Sequence, residues 1–279
     1  MNHTATPSLT EARPMAVLLL GPTAVGKTEI SVQVAERLGA EIVSVDSRLF
    51  YRGMDIGTAK PSADQRARVP HHLIDLVEPN ETVGLAEFQR RAQGAITGII
   101  VRGKLPLLVG GTGQYVRAVQ AGWSPPAVPP NEYLRAELTR LADERGSAWL
   151  HQGLGRLDAD SAGRIDARNV RRTVRALEVI LTTGKRFSEL RGREGLFYRL
   201  INIGLRRTRV ELYARIDARI DRMLEEGWLE ESRQLLRRGY ASDLPAFSAI
   251  GYPQCIKVIQ GDLDLEQARP RSGGQHERW

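Results

Sequence analysis

The segment GPTAVGKT at residues 21–28 is a complete phosphate-binding loop, and it constrains the fold of this chain more than any other feature. The apolar run MAVLLL precedes it at residues 15–20, and a helical pattern follows as far as Leu38. Glycines let the backbone turn tightly here, so that several amides and the start of a helix face one anion. The motif predicts a site for a di- or triphosphate without identifying the compound.

Two side chains of the loop add specific chemistry. Lys27 supplies a positive charge for the terminal phosphate, and Thr28 supplies a hydroxyl that suits a bound magnesium ion. Mg²⁺ is therefore the expected cofactor, with Thr28 as its protein ligand. The expected diphosphate-binding residues are Gly21, Pro22, Thr23, Ala24, Val25, Gly26, Lys27 and Thr28.

Apolar and β-branched runs predict strands at residues 15–20, 41–45, 105–110 and 199–205. Helical patterns lie between them, at residues 28–38 and 85–102. This alternation predicts an α/β fold of the P-loop NTPase type, a parallel sheet flanked by helices. Ligands of such sheets bind beyond the carboxyl ends of the strands. We therefore expect the phosphate loop, Asp46 and the turn GGTG at residues 110–113 to open onto one crevice.

The proline-rich segment SPPAVPP at residues 124–130 interrupts this pattern, because it can continue neither a helix nor a central strand. Helical and charged patterns follow it, so we predict an inserted all-helical domain at residues 124–197. The α/β core then comprises residues 15–123 and 198–268, with one long helical region from Thr208 to Gly239. Residues 1–14 and 269–279 are expected to be disordered tails.

Composition and charge indicate the cellular compartment and the kind of partner. The single cysteine, Cys255, excludes an internal disulfide, and no apolar run approaches membrane-spanning length. We expect a cytoplasmic monomer with no membrane partner. The net charge of +7 is concentrated between Arg164 and Arg193, where nine basic residues stand against three acidic ones.

A helix predicted over residues 167–181 gathers its arginines on one face, opposite Val170, Val174 and Leu177. Each arginine of such a stripe can contact a phosphate, so the pattern favours nucleic-acid binding over an ordinary solvated face. The arginines concerned are Arg168, Arg171, Arg172 and Arg175.

Two further positions suggest catalysis. Asp46 follows a predicted strand beside the phosphate loop, where it could hold magnesium, accept a proton or simply cap the next turn. Arg215, Arg219 and Arg222 are spaced to form one cationic helix edge, and we expect Arg219 to face the diphosphate. An ordinary surface role for this edge stays open.

Several longer segments carry a resemblance. From about Met15 to about Ala268 the chain resembles the bacterial tRNA dimethylallyltransferases, which are tRNA isopentenyltransferases. The most distinctive match is RGMDIGTAKP. The matching segments are DSRLFYRGMDIGTAKP (46–61), VPHHLID (69–75), LLVGGTGQYVRA (107–118), NVRRTVRALEVILTTGKRFSEL (169–190) and AIGY (249–252).

This resemblance implies that the exocyclic amine of the adenine 3′ of the anticodon attacks dimethylallyl diphosphate, and that diphosphate leaves from the phosphate loop. The partners would be the tRNA anticodon stem-loop and the prenyl donor. Asp46 would be the general base and Thr112 would help to place the adenine. Lys27 of the phosphate loop and Arg219, which helical spacing alone assigns to the diphosphate, complete the expected catalytic residues. The implied tRNA-binding residues are Asp46, Ser47, Arg48, Leu49, Thr112, Arg171, Arg172, Arg175, Ser248, Gly251 and Tyr252.

Other functions stay open at this point. A related prenyltransferase could act on free adenine nucleotides, and a small-molecule kinase would use ATP in the same loop. Leu49 stands where the family usually has glutamine, and the sequence after Ala268 departs from the family's continuation. A tRNA-binding form without turnover is therefore a further alternative.

Overall fold

The computed structural model describes residues 13–124, 126, 128–190, 192–193 and 195–268. The tails expected to be disordered lie outside the described residues except for Arg13 and Pro14, and the Pro14 carbonyl accepts a hydrogen bond from the Arg199 amide at 2.8 Å. The chain divides into two compact units. The first comprises residues 1–117 and 196–279, and the second comprises residues 118–195.

The strands of the described chain, in order, are β1 (Met15–Leu20), β2 (Ala40–Val45), β3 (His71–His72), β4 (Leu105–Gly110), β5 (Trp123–Ser124), β6 (Gly192–Arg193) and β7 (Arg199–Gly204). The first unit contains a five-stranded parallel sheet in the order β3-β2-β4-β1-β7. The parallel sheet predicted from the sequence is confirmed. β3 was not predicted, because two residues give no periodic signal.

Apolar composition explains the centre of the sheet. Every residue of β2 is buried, and Ala16 and Leu18 of β1 are fully buried. β7 forms an edge and is mostly exposed. At the carboxyl end of β4, a Cβ on Gly110 would lie 2.2 Å from the Val45 carbonyl oxygen. β2 and β4 therefore approach too closely at this end for any other residue.

The helices of the described chain, in order, are α1 (Lys27–Leu38), α2 (Ala63–Arg68), α3 (Leu85–Val101), α4 (Gly113–Ala121), α5 (Glu132–Arg145), α6 (Ser147–Leu157), α7 (Ala159–Ala162), α8 (Val170–Thr183), α9 (Phe187–Leu190), α10 (Arg209–Glu225), α11 (Trp228–Arg237), α12 (Tyr252–Gln260) and α13 (Leu265–Ala268). In the first unit, α1 packs Val32 and Ala35 against Val17, Ile42 and Leu107 of the sheet. None of the helices in the described ranges is long and apolar enough to cross a membrane.

The helical region predicted from Thr208 to Gly239 is present and consists of two helices. It begins with a capping box formed by Thr208 and Glu211, and it divides into α10 and α11 at Gly227. Gly227 has φ 100°, a left-handed conformation that ends one helix and starts the next without a steric penalty.

The second unit consists mainly of helices, but it also contains the antiparallel pair of β5 and β6, whereas the sequence predicted an all-helical domain. Its core joins Leu138, Leu150, Leu154 and Leu177 from α5, α6 and α8. The predicted helix over residues 167–181 instead spans Val170–Thr183, because the Asn169 side chain caps its start by accepting from the Arg172 amide. Arg168 therefore lies outside the helix.

Candidate active site

The phosphate loop connects β1 to α1 at the carboxyl end of the strand. Gly26 has φ 104°, which favours glycine, and a Cβ on Gly21 would lie 2.9 Å from the Leu205 carbonyl oxygen. Between them Pro22, Thr23, Ala24 and Val25 form a turn in which the Val25 amide donates to the Pro22 carbonyl at 3.4 Å. Both glycines of the motif are thus required by the local backbone.

Lys27 lies folded back over this loop. Its Nζ donates to the carbonyl oxygens of Gly21 and Pro22, each at 2.9 Å. Burial lowers the pKa of Lys27, Asp46 opposes that shift, and the positive charge of Arg219 adds to it. Asp46 and Arg219 therefore lie close enough to Lys27 to interact with its charge.

Arg219 reaches this group from α10 as a half-buried cation. Burial lowers the pKa of Arg219, and the negative charge of Asp46 opposes the change. Within the described chain its guanidinium makes no hydrogen bond. Its donors therefore have no partner among the described residues, as suits a residue that binds an anionic group. Arg222, further along α10, is exposed.

Asp46 is the first residue after β2, and it caps the 3₁₀ turn Ser47–Phe50. Its carboxylate accepts a hydrogen bond from the Arg48 amide at 3.0 Å. The capping role considered from sequence is therefore real. It leaves the second carboxylate oxygen without a hydrogen bond to any described residue, so Asp46 can cap the turn and still accept a proton.

The turn after β4 meets the turn after β2. The Ser47 amide donates to Thr112 Oγ1 at 3.5 Å, and a Cβ on Gly111 would lie 3.2 Å from the Gly21 carbonyl oxygen. The phosphate loop, Asp46 and the GGTG turn thus come together at one edge of the sheet, as the order of strands and turns predicts.

The segments around Arg48 and Ser248 also lie together. The Arg48 guanidinium donates to Ser248 Oγ at 3.1 Å, and to the carbonyls of Pro245 and Ser248 at 3.4 Å each. Half-buried Leu49 lies in the same turn, and its carbonyl accepts from the Asp75 amide at 3.1 Å. Both residues therefore help to hold the segments that surround Asp46.

Gly251 and Tyr252 lie deeper than a surface contact would require. Gly251 has φ 89°, and a Cβ there would lie 1.8 Å from the ring of Trp228. Tyr252 is fully buried, and its hydroxyl donates to Glu231 Oε1 at 2.6 Å. The structure gives the Tyr252 side chain a role in packing, since no part of it faces solvent.

Glu231 is a residue that sequence reasoning missed. Besides Tyr252, its carboxylate accepts from the amides of Asp55 and Ile56 at 2.7 Å each, and from that of Gly57 at 3.2 Å. It thereby fixes the middle of the RGMDIGTAKP segment to α11. Its position in an ordinary helical pattern carries no signal, although a loop with three unpaired amides requires an acceptor.

The rest of that distinctive segment is also structural. Lys60 is buried, and its Nζ donates to the Tyr51 carbonyl at 2.8 Å and to the carboxylates of Asp55 and Asp75 at 2.5 Å each. A Cβ on Gly57 would lie 2.0 Å from Trp228 Nε1. The segment therefore forms a tightly packed support behind the turn that carries Asp46.

In the second unit, the predicted arginine stripe on α8 has two kinds of member. Arg171 and Arg172 are exposed, and their side chains make no hydrogen bond or ion pair with any described residue. Arg175 binds buried Glu178 at 2.5 Å and the Val128 carbonyl at 2.8 Å. Arg175 thus holds the proline-rich connector, while Arg171 and Arg172 keep their donors available.

The described residues contain no cluster of three or more histidine, cysteine, aspartate or glutamate residues that could hold a metal ion. Thr28, in the first turn of α1, has a hydroxyl without a hydrogen bond to any described residue. Mg²⁺ commonly takes one or two protein oxygens and fills its other positions with phosphate and water. The site therefore fits a magnesium ion that arrives with a diphosphate, and does not fit a resident, fully protein-ligated metal.

Comparisons with known proteins agree with this geometry. A family model described as IPP transferase matches residues 49–278, and one described as isopentenyl transferase matches residues 14–70. A tRNA dimethylallyltransferase from Thermomicrobium roseum is 49% identical over 93% of this chain and 79% of its own length. One from Chloroflexus aggregans is 51% identical over 89% of this chain and 84% of its own.

A solved structure supports the same conclusion. The full-length tRNA isopentenylpyrophosphate transferase from Bacillus halodurans has a TM-score of 0.64 and 42% identity, and the match covers 92% of this chain and 80% of that one. The fold and the family resemblance inferred from sequence are thereby confirmed. With a family model over most of its length and relatives about half identical to it, the chain belongs to the IPP transferase family, among the tRNA dimethylallyltransferases.

Proposed function

We propose that this protein transfers a dimethylallyl group from dimethylallyl diphosphate to the exocyclic amine of the adenine 3′ of the anticodon in tRNA. The observation that carries the proposal is the position of Asp46 and Arg219 beside Lys27 at the phosphate loop, where the negative charge of Asp46 opposes the lowering of the pKa of both cations. Two cations and a carboxylate at one anion site match a reaction that releases an anion and a proton together.

The cations stabilise the leaving group. As the bond between the allylic carbon and the diphosphate oxygen breaks, negative charge accumulates on the diphosphate. The loop amides, Lys27 and Arg219 bind that charge. Because the hydrogen bonds of Lys27 end on the carbonyls of Gly21 and Pro22, its ammonium can exchange these neutral partners for phosphate oxygens.

Asp46 completes the balance of the reaction. The adenine nitrogen forms a bond to the allylic carbon, and one of its protons passes to the Asp46 carboxylate. The oxygen that does not cap the Ser47 turn is the acceptor. Thr112, which accepts from the Ser47 amide, orients the base beside the same turn.

Magnesium would be held by Thr28 and would supply further positive charge to the departing diphosphate. The residues of this chain still bind and orient the donor, because Lys27 and Arg219 lie beside the loop independently of the metal.

The exposed arginines of α8 support a macromolecular acceptor. Arg171 and Arg172 offer guanidinium groups that fit phosphates of the tRNA backbone. Ser248 and Arg48, which bind each other, form a second surface near Asp46. The names of the relatives also favour tRNA over a free nucleotide or a kinase reaction. Location in the cytoplasm and a monomeric state stay predictions.

The test is incubation of the protein with dimethylallyl diphosphate, Mg²⁺ and unmodified tRNA, followed by mass analysis of the nucleosides. We expect prenylated adenosine in the tRNA and an equal amount of released diphosphate. In one matched reaction AMP replaces the tRNA, which tests for a free-nucleotide acceptor. In a second, ATP replaces dimethylallyl diphosphate, which tests for ATP hydrolysis. Prenylated AMP without prenylated tRNA, or ATP hydrolysis without prenyl transfer, would overturn the proposal.

A further inference from the structure

The carbonyl groups of the phosphate loop are held by basic side chains from outside the loop as well as by Lys27. Arg215 Nε donates to the Ala24 carbonyl at 2.7 Å, and Arg207 Nε donates to the Val25 carbonyl at 3.1 Å. A backbone amide and the carbonyl before it point in opposite directions across a peptide bond. By holding the Val25 carbonyl, Arg207 also restrains the Gly26 amide that follows it, whereas the Val25 amide donates to the Pro22 carbonyl within the loop at 3.4 Å.

Ala24 is the residue for which this restraint matters most. Its φ is 63°, in the left-handed region, where a Cβ is disfavoured and glycine is usual. A strained residue persists only when its surroundings fix it. The hydrogen bond from Arg215 is the side-chain contact to the Ala24 backbone within the described chain.

Arg215 and Arg219 lie one turn apart on α10, but they differ in what they bind. The Arg215 Nε contacts the loop backbone, whereas Arg219 makes no hydrogen bond to a described residue and interacts with the charges of Lys27 and Asp46. The same helix thus carries Arg215, which contacts the backbone of the loop, and Arg219, which remains available to an anion.

We propose that Arg215 is a positioning residue, which holds Ala24 in its left-handed conformation and so keeps the phosphate loop in the shape that binds the diphosphate. This inference rests on the proposed function of the loop as a diphosphate site. Arg207 supports the same arrangement one residue further along, through the Val25 carbonyl. The role is indirect, because Arg215 acts through the backbone of the loop rather than on the anion.

The experiment measures the affinity of the full chain for inorganic diphosphate with Mg²⁺ by calorimetry. Arg215→Ala should weaken binding about tenfold, as expected for loss of one charge-assisted hydrogen bond. Arg222→Ala is the matched control, because it removes an exposed arginine from the same helix, and it should change the affinity by less than about twofold.

The decisive variant adds Ala24→Gly. Glycine adopts a positive φ without the steric cost, so the double variant should recover to within about threefold of the original affinity. A tenfold loss that Ala24→Gly does not repair would mean that Arg215 contacts the anion directly, and would overturn the proposal. Unchanged affinity in Arg215→Ala would overturn it as well.

Thermal unfolding of each variant separates loss of affinity from loss of fold. Arg215 is exposed, so its truncation should leave the unfolding temperature nearly unchanged. Binding of diphosphate is also separate from prenyl transfer. If the unmodified chain binds diphosphate but transfers no prenyl group, the proposed reaction fails while the test of Arg215 still gives its own answer.

Discussion

Asp46 of the first compact unit and Asp158 of the second use the hydrogen-bonding capacity of their carboxylates in opposite ways. In the first unit, Asp46 accepts one hydrogen bond, from the Arg48 amide. In the second unit, buried Asp158 accepts four hydrogen bonds from Ser161 and Ser188 at 2.6–3.0 Å. A carboxylate whose bonding capacity is used by the protein stabilises the fold, whereas one with capacity left over can act on a ligand.

The same distinction applies to Glu178 and to the arginines. Glu178 is fully buried in the second unit, and it accepts from the Asn131 amide, Arg135 and Arg175. Burial alone would raise the pKa of Glu178, but these donors outweigh burial and lower it. Arg219 of the first unit, in contrast, has no such partner among the described residues. Charged groups whose hydrogen-bonding capacity is filled by the protein are therefore structural, whereas those with capacity left over are available for chemistry.

The largest expected effect of this difference is on catalysis. Asp46→Asn should reduce prenyl transfer by at least ~100-fold, because removal of a general base costs two to four orders of magnitude, while tRNA affinity stays near normal. Asp158→Asn is the matched substitution in the other unit, and it should leave the single-turnover rate of folded protein unchanged. Single-turnover assays with both variants measure this directly. Equal transfer by Asp46→Asn and the unmodified chain would remove Asp46 from the mechanism.

A second prediction concerns stability and pH. Burial raises the pKa of Asp158, but the hydrogen bonds from Ser161 and Ser188 prevail and lower it from 3.8 to about 2. Its stabilisation is therefore complete above the higher value, and is lost as the pH falls toward the lower one. Asp158→Asn should reduce the free energy of unfolding by about 2 kcal/mol near neutral pH.

Urea denaturation of both proteins across this acidic range provides the measurement. The difference in unfolding free energy between the original chain and Asp158→Asn should shrink as the pH approaches the lower pKa. A difference that stays constant with pH would mean that the charge of Asp158 does not contribute to folding.

The smallest effect expected is on tRNA binding. Replacing both Arg171 and Arg172 with alanine should weaken binding about tenfold and reduce the slope of log affinity against log salt by about 1.5, because two phosphate contacts are lost. Arg175→Ala should instead lower the stability of the second unit, since Arg175 holds Glu178 and the Val128 carbonyl. Unchanged salt dependence in the double variant would show that the exposed pair is ordinary surface charge.

Sequence patterns predicted the parts of the fold that depend on local composition. The apolar runs located β1, β2 and β4, because buried parallel strands are continuously apolar or β-branched, and the apolar residues Leu200, Ile201 and Ile203 located the exposed edge strand β7. The order of strands and turns brought Asp46 and Thr112 to the phosphate loop. The break between α10 and α11 at Gly227 could not be predicted, because a glycine within a helical pattern does not by itself reveal a positive φ.

The roles of some residues could not be predicted, because they depend on contacts with residues that are distant in sequence. Helical spacing placed Arg175 beside Arg171 and Arg172, but only the fold shows that Glu178 and the connector carbonyls bind it. Glu231 likewise gains its role from the amides of a loop far away in sequence. The distinctive RGMDIGTAKP segment is a packing element around Lys60 and Trp228, which no spacing rule would predict.

The most direct test of the account is a crystal structure of the protein with Mg²⁺, tRNA and a non-reactive thiodiphosphate analogue of the prenyl donor. We predict that the diphosphate lies in the loop against Lys27 and Arg219, with Asp46 within hydrogen-bonding distance of the adenine amine. A diphosphate bound elsewhere, or an adenine amine that Asp46 cannot reach, would contradict the central claim that Lys27, Arg219 and Asp46 form the active site.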